Sequence, residues 1–159
     1  SLALNLAVHR LENKKYDLDF VREIIEQAAI VYDSKKSSIL ELGGGVPKNT
    51  AQQTGPLLDQ ILRRNDGGQN YIIQITDARP DTGGLSGATL QEGKSWGKIQ
   101  DSHEGIVTVY ADATIVFPIL ALYVLSNQKS RKPKRLYKRI DKMYNKLSDD
   151  YFKNPTRVK

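Results

Sequence analysis

Three short apolar runs alternate with segments of helical period, and this alternation restricts the chain to an α/β fold built on a parallel sheet. The runs are Ser38–Leu42, Asn70–Ile75 and Ile106–Tyr110. They are nearly continuous in apolar character, as strands covered on both faces are. Parallel sheets of this kind bind ligands outside the carboxyl ends of their strands. Those ends are Gly43-Gly44-Gly45, Thr76-Asp77-Ala78 and Ala111-Asp112-Ala113, all small or polar.

The helical segments are read from their apolar spacing. Leu2, Leu6, Ala7 and Leu11 form a helical stripe with no capping residue before it, so the chain is expected to begin inside a domain. Asp17 or Asp19 is placed to cap the next helix, whose apolar face is Leu18, Val21, Ile24, Ile25, Ala28 and Val31. Pro47 suits the first turn of a helix running to about Arg64, with Leu57, Leu58, Ile61 and Leu62 inward and Asn65–Gly68 as its end. Thr76–Gly97 is a polar stretch with five glycines, and loops of that length inside a domain are usually functional. Ala113–Leu125 predicts a buried helix, kinked at Pro118. Residues 134–152 predict a basic amphipathic helix with Leu136, Ile140, Met143 and Leu147 on one stripe.

Charge divides the chain in two. Residues 129–159 hold 12 Lys/Arg against 3 Asp/Glu, whereas residues 1–128 hold 12 against 15. A basic tail of this kind either binds an anionic partner such as nucleic acid or is a solvated helix with a loose end; the second reading is preferred. Residues 1–128 are accordingly read as one domain and 129–159 as a basic C-terminal helix and tail. With no cysteine, disulfides, thiolate zinc sites and thiol catalysis are excluded. The longest apolar candidate, Ala111–Leu125, contains Asp112 and Pro118 and is shorter than the roughly 18 residues of a membrane span. Without a signal-peptide pattern, cytoplasm is the default compartment. His9 and His103, the two histidines, lie away from the strand ends, which argues against a histidine triad or metal cluster.

Three segments carry candidate chemistry. Gly43–Lys48 joins a strand to a helix, either as a phosphate-accepting turn or as a plain tight turn. In Ser95-Trp96-Gly97-Lys98-Ile99 the single tryptophan lies two residues from a lysine. A lysine beside an apolar wall loses its proton more readily and becomes a nucleophile, and an indole face holds an ammonium. The bland alternative is an ordinary surface lysine. Glu92, six residues before Lys98, either anchors a cationic substrate or is a solvated loop acid.

Two stretches resemble deoxyhypusine synthase: Ser86-Gly87-Ala88 with Glu92 and Ser95–Ile99, and Val109-Tyr110-Ala111-Asp112-Ala113-Thr114 leading to Val116-Phe117-Pro118. With Gly43–Gly45 and Lys48 upstream, the resemblance covers roughly residues 37–126 and leaves the basic tail outside. It implies a Rossmann-like parallel sheet flanked by helices, of which this chain is the C-terminal half. It further implies NAD as cofactor, tetrameric assembly with sites at subunit interfaces, and the N-terminal half supplied by a separate or cleaved chain. The implied reaction oxidises a polyamine, holds its butylamine unit as an imine on Lys98, and passes that unit to an acceptor amine. Carried over, Trp96 lines the polyamine channel and Glu92 pairs with an ammonium. NAD contacts fall on Gly44, Gly45, Thr76, Asp77, Ala78, Ser86, Ala111 and Asp112; no metal is implied. Two positions depart from the eukaryotic pattern. Asn49 replaces a histidine and cannot act as a general base, and Leu85 replaces an acid, with Asp81 a candidate substitute. These changes resemble the bacterial deoxyhypusine synthase-like group and favour a small amine such as putrescine as acceptor. True deoxyhypusine synthesis on an initiation-factor lysine, or NAD or polyamine binding without turnover, are the alternatives.

Overall fold

The computed structural model describes residues 2–14, 19–64, 68–100 and 105–154, with residues 2–4 described by backbone alone. Strands β1 (Ser38–Leu42), β2 (Tyr71–Thr76) and β3 (Ile106–Tyr110) pair in parallel in the order β1-β2-β3. The register sets Leu40 opposite Ile73, and Ile73 opposite Val107. The α/β reading and all three strands are thus present, with β2 ending one residue later than its apolar run suggests.

Helix α1 spans Leu2–Leu11 and α2 spans Phe20–Tyr32. Asp19 caps α2, its carboxylate accepting from the amide of Arg22, while Asp17 and Leu18 lie outside the described residues. Only part of the expected α2 face is covered: Ala28 and Val31 are buried and Ile25 partly so, but Val21 and Ile24 are exposed. Helix α3 (Val46–Gln52) ends at Gln53. The chain continues as a single turn, α4 (Thr54–Pro56), and a wider π-type turn over Leu57–Ile61. The expected single helix to Arg64 is therefore replaced by three pieces, because Pro56 offers no amide for an unbroken ladder. Leu58 is fully buried, whereas Ile61 faces solvent.

The long polar stretch contains a 3-10 turn at Pro80–Thr82 and helix α5 (Leu90–Ser95), capped by the Thr89 hydroxyl. Helix α6 (Ala113–Asn127) follows β3 and packs on β2. It is apolar all round yet has no buried residue, which corrects the expectation of a buried helix. Burial needs a partner on more than one side, and among the described residues the sheet is the main surface that α6 meets. A 3-10 turn (Leu136–Arg139) leads into α7 (Ile140–Lys153), which packs on α2.

Two apolar clusters result. Ala28, Ala29, Val31, Leu58, Met143 and Leu147 join α2, the 57–61 turn and α7. Ile72, Leu90 and Ile99, with Ile106, join one sheet face to α5. The other sheet face exposes Leu40, Leu42, Ile73 and Val107.

Ion pairs fasten α7 to the end of α2. Asp33 accepts from Lys146 at 2.6 Å and Arg139 at 3.1 Å. The Lys146 hydrogen bond is the main cause that holds the Asp33 carboxyl below its ordinary 3.8. A depressed carboxyl stabilises the fold above its unfolded value, and that contribution is lost as pH falls through the lower folded value. Asp33→Asn is expected to cost about 1 kcal/mol at neutral pH. Urea denaturation should show the deficit shrinking as pH is lowered toward 3; a deficit constant with pH would rule out the ion pairs as its source.

Candidate functional site

The three strand ends are tied together by backbone. Gly43 N donates to Ile75 O at 2.7 Å, and Ala111 N donates to Thr76 O at 3.0 Å. This brings the loops that follow β1, β2 and β3 to one sheet edge. Gly43 and Gly45 have φ of 78° and 151°, in the region that glycine tolerates. Gly44 lies so close to Ser86 that an added Cβ would stand 3.1 Å from the Ser86 Cα. The Ser86 hydroxyl donates to the Gly44 carbonyl. Gly45 precedes α3 without a side-chain cap, leaving its first amides available.

Around this edge, Thr76 is buried and its hydroxyl accepts from the Ala78 amide at 3.2 Å. Asp77 is exposed and Ala78 half-buried. Asp112 caps α6 through Thr114, and that hydrogen bond lowers its carboxyl below the ordinary value. Ser86 and Ala111 are half-buried beside Gly44 and Thr76.

A second group of side chains gathers beneath the edge, between α3 and α5. The Lys98 ammonium donates to Asn49 Oδ1 at 2.9 Å. Lys98 is held by backbone on both sides: its amide donates to Gly93 O at 3.0 Å, and its carbonyl accepts from Gln69 N at 3.0 Å. Gln69 and Ile99 form an isolated parallel bridge, so Lys98 sits at the start of a short extended segment. Glu92 lies in the first turn of α5 and Trp96 follows its last turn; both are exposed, Trp96 at 59%. The Trp96 carbonyl accepts from Gln60. Asp81 is exposed and engaged by Arg79 at 3.0 Å. His103 lies outside the described residues, and among the described residues no cluster of His, Asp and Glu has a metal-binding arrangement.

Several buried polar residues hold the site together without having been assigned a role from the sequence. Lys48 is only 7% exposed, and its ammonium donates to the carbonyls of Ala88 at 2.7 Å and Leu85 at 3.3 Å. It therefore pins the 85–88 loop to α3. Burial pulls its ammonium below the usual lysine range, with Lys98 adding repulsion and Glu41 and Glu92 opposing. Glu41 is 4% exposed and accepts from Gln52 at 2.6 Å. Burial raises its carboxyl, while Gln52, Lys48 and Lys98 pull it back. Gln69 donates to Thr54 at 3.1 Å. The available signal was a polar residue inside an apolar run: Glu41 in β1 and Gln74 in β2 both interrupt otherwise apolar strands and both are buried.

A family model for deoxyhypusine synthase matches residues 1–124. A deoxyhypusine synthase-like protein of Nostoc sp. is 43% identical over 156 residues, covering 95% of this chain and 41% of the relative. Another deoxyhypusine synthase-like protein, from Thermosynechococcus vestitus, is 42% identical over 95% of this chain and 40% of its own length. A probable deoxyhypusine synthase 2 of Methanosarcina acetivorans is 40% identical over 76% of this chain and 34% of its own length. The chain thus spans about 40% of the length of the relatives from Nostoc and Thermosynechococcus.

Proposed function

The chain belongs to the deoxyhypusine synthase family, and we propose that the whole protein is an NAD-dependent transferase that moves an aminobutyl unit from a polyamine by way of Lys98. The observation that carries this reading is the placement of Lys98. Its ammonium is partly buried and held by Asn49, and its backbone is fixed between Gly93 and Gln69. A nucleophile oriented in this way has given up its freedom before the substrate arrives.

The chemistry that NAD supplies when bound is reversible hydride storage. The strand-end edge suits such a group: α3 has uncapped amides after Gly45, Gly43 and Gly45 have open space around them, and Asp77 and Asp112 are exposed there. Contacts are assigned to Gly44, Gly45, Thr76, Asp77, Ala78, Ser86, Ala111 and Asp112. Once neutral, Lys98 Nζ attacks the oxidised carbon of the polyamine. The departing amine takes up a proton as it leaves, and the butylamine unit stays on Lys98 as an imine until an acceptor amine displaces it, giving a product imine that becomes the amine product once the stored hydride is returned to it. Asn49 orients Nζ through its carbonyl oxygen and takes no proton itself. Trp96 offers an exposed ring face to a cationic chain, and Glu92 a carboxylate to its ammonium. Asp81 is the candidate for the acid that Leu85 does not provide.

A small-amine acceptor is favoured because Leu85 carries no charge and its carbonyl is taken by Lys48. The rest of the family's length, in a homo-oligomeric assembly, is proposed to cover Leu40, Leu42, Ile73 and Val107. The trial is imine trapping in the complete protein. With NAD, labelled putrescine or spermidine, and cyanoborohydride, tandem mass spectrometry should find the label on Lys98. Putrescine and an initiation-factor protein, offered side by side as acceptors, should yield homospermidine and leave the protein unlabelled. Labelling of the protein without homospermidine would overturn the acceptor assignment.

A further inference from the structure

Helix α5 ends in a way that directs Lys98 off its last turn. The Gly97 amide donates to Lys94 O and the Lys98 amide to Gly93 O, each at 3.0 Å, and Gly97 has a φ of 70°. This paired closure over a left-handed glycine satisfies two of the carbonyls that a helix end leaves without partners. The Trp96 carbonyl is a third, and a side chain from elsewhere in the fold meets it: Gln60 Nε2 donates to it at 3.1 Å. The same nitrogen stands 3.1 Å from where a Cβ on Gly97 would lie, so Gln60 is seated against the turn that presents Lys98.

An uncommon piece of backbone carries Gln60 there. Leu57–Ile61 is a π-type turn, closed by the Leu62 amide on Leu57 O at 2.8 Å. Turns this wide are rare and recur at functional sites. Two anchors join it to α7. Leu58 is fully buried in the apolar cluster that holds Met143 and Leu147. Just past the turn, the Arg64 amide donates to Leu58 O at 2.7 Å. The Arg64 side chain is 8% exposed; its Nε lies 2.7 Å from the Asp150 carboxylate, and its guanidinium also donates to the Asn154 carbonyl. A pair this sheltered is screened far less than an exposed one. Contacts thus run from α7 through Leu58 and Arg64 to the turn, and from Gln60 of that turn to Trp96 and Gly97. Helix α7 lies beyond residue 124, where the family match ends.

We infer that Gln60 is a positioning residue for Lys98: carried on a turn that α7 clamps from behind, it fixes the Trp96 carbonyl and with it the direction in which Lys98 leaves α5. The tie from Gln69 to the Lys98 carbonyl holds the outgoing side of Lys98, and Gln60 holds the incoming side. Calling Gln60 a positioning residue rests on Lys98 being the nucleophile of the proposed reaction. The mechanical coupling from α7 to the Lys98 turn does not, and is read without NAD or any amine.

The experiment is amide hydrogen exchange of the intact, fully assembled protein, followed by mass spectrometry in peptides covering residues 93–98. Gln60 is exposed, so replacing it removes no core packing. Gln60→Glu keeps the length and loses the donor; exchange across 93–98 is expected to quicken about threefold to tenfold while β2 stays unchanged. Gln60→Arg supplies a donor again and should return exchange to the wild-type rate. Asp150→Asn removes the charge that holds Arg64 and is expected to quicken exchange about threefold across both 57–64 and 93–98. The initial rate of imine trapping on Lys98 should fall in Gln60→Glu and recover in Gln60→Arg. Unchanged exchange across 93–98 in Gln60→Glu, or no recovery in Gln60→Arg, overturns the role of Gln60. Quickening confined to 57–64 and 140–153 in Asp150→Asn overturns the clamp from α7. Absence of a trapped imine in the wild type would instead sink the aminobutyl reading and leave the coupling standing.

Discussion

Lys98→Arg is expected to leave the protein folded and able to bind cofactor while cutting aminobutyl transfer by about three orders of magnitude or more. Arginine keeps the positive charge and a donor that can reach Asn49 Oδ1, so the local field and packing change little. What it removes is the neutral amine, because a guanidinium does not lose its proton at any working pH. The measurement is steady-state product formation beside the trapping experiment, with thermal melting to show that the fold survives. The rival nucleophile is Lys48, whose ammonium burial has drawn below the lysine range. It is nevertheless 7% exposed and spent on two loop carbonyls, a position that suits a staple better than an attacking group. Label migrating to Lys48, or turnover in Lys98→Arg within tenfold of wild type, would remove Lys98 from the centre of the mechanism.

Gly68→Ala is expected to be the most damaging single methyl that the site can receive. A Cβ built on Gly68 falls within the space of the Lys98 carbonyl and the Ile99 amide, and both obstacles are backbone. A flexible side chain could swing aside, but here the 68–70 and 97–100 segments must separate. Their separation breaks the bonds from Gln69 N to Lys98 O and from Gln100 N to Gln69 O, each 3.0 Å. A loss of about 3 kcal/mol or more is expected by chemical denaturation. Any molecules that remain folded should have Lys98 displaced, with turnover lower by about a hundredfold for a shift near 1 Å. Gly55→Ala should act in the same direction, since its Cβ would lie 2.6 Å from Gly97 O. Gly83→Ala is the control. It adds only left-handed strain, at φ 74° with open space around it, for about 1 kcal/mol and no effect on Lys98. Equal losses at Gly68 and Gly83 would show that close packing behind Lys98 is not what Gly68 provides.

Much of the scaffold could be read without coordinates because the signals are local. Short, nearly continuous apolar runs mark the strands, and a strand followed by Gly43-Gly44-Gly45 and Pro47 marks where a helix begins. The small and polar residues at the three strand ends pointed to one sheet edge, and the ties from Gly43 to Ile75 and from Ala111 to Thr76 draw those ends together. The deoxyhypusine synthase resemblance rested on ordered short motifs, which likewise survive without a fold.

What failed was decided by partners distant in the chain. Helix α6 is apolar enough to be buried, yet burial depends on which surfaces meet it, and among the described residues the sheet is the main one. The apolar stripe of the basic C-terminal segment was legible but its partner was not: α7 lays Met143 and Leu147 against α2, and Asp33 takes Arg139 and Lys146 from more than a hundred positions away. Glu41 reads as one polar residue in a strand; its burial and the bond it accepts from Gln52 of α3 arise only from the folded arrangement. Local periodicity thus determined the strands, most of the helices, their order and the edge at which the strand ends meet. Which charges lose their water, and which glycines stand where no side chain fits, emerged only when segments remote in sequence packed against one another. Desolvation and steric exclusion are properties of neighbours in space, and a single residue's identity does not contain them.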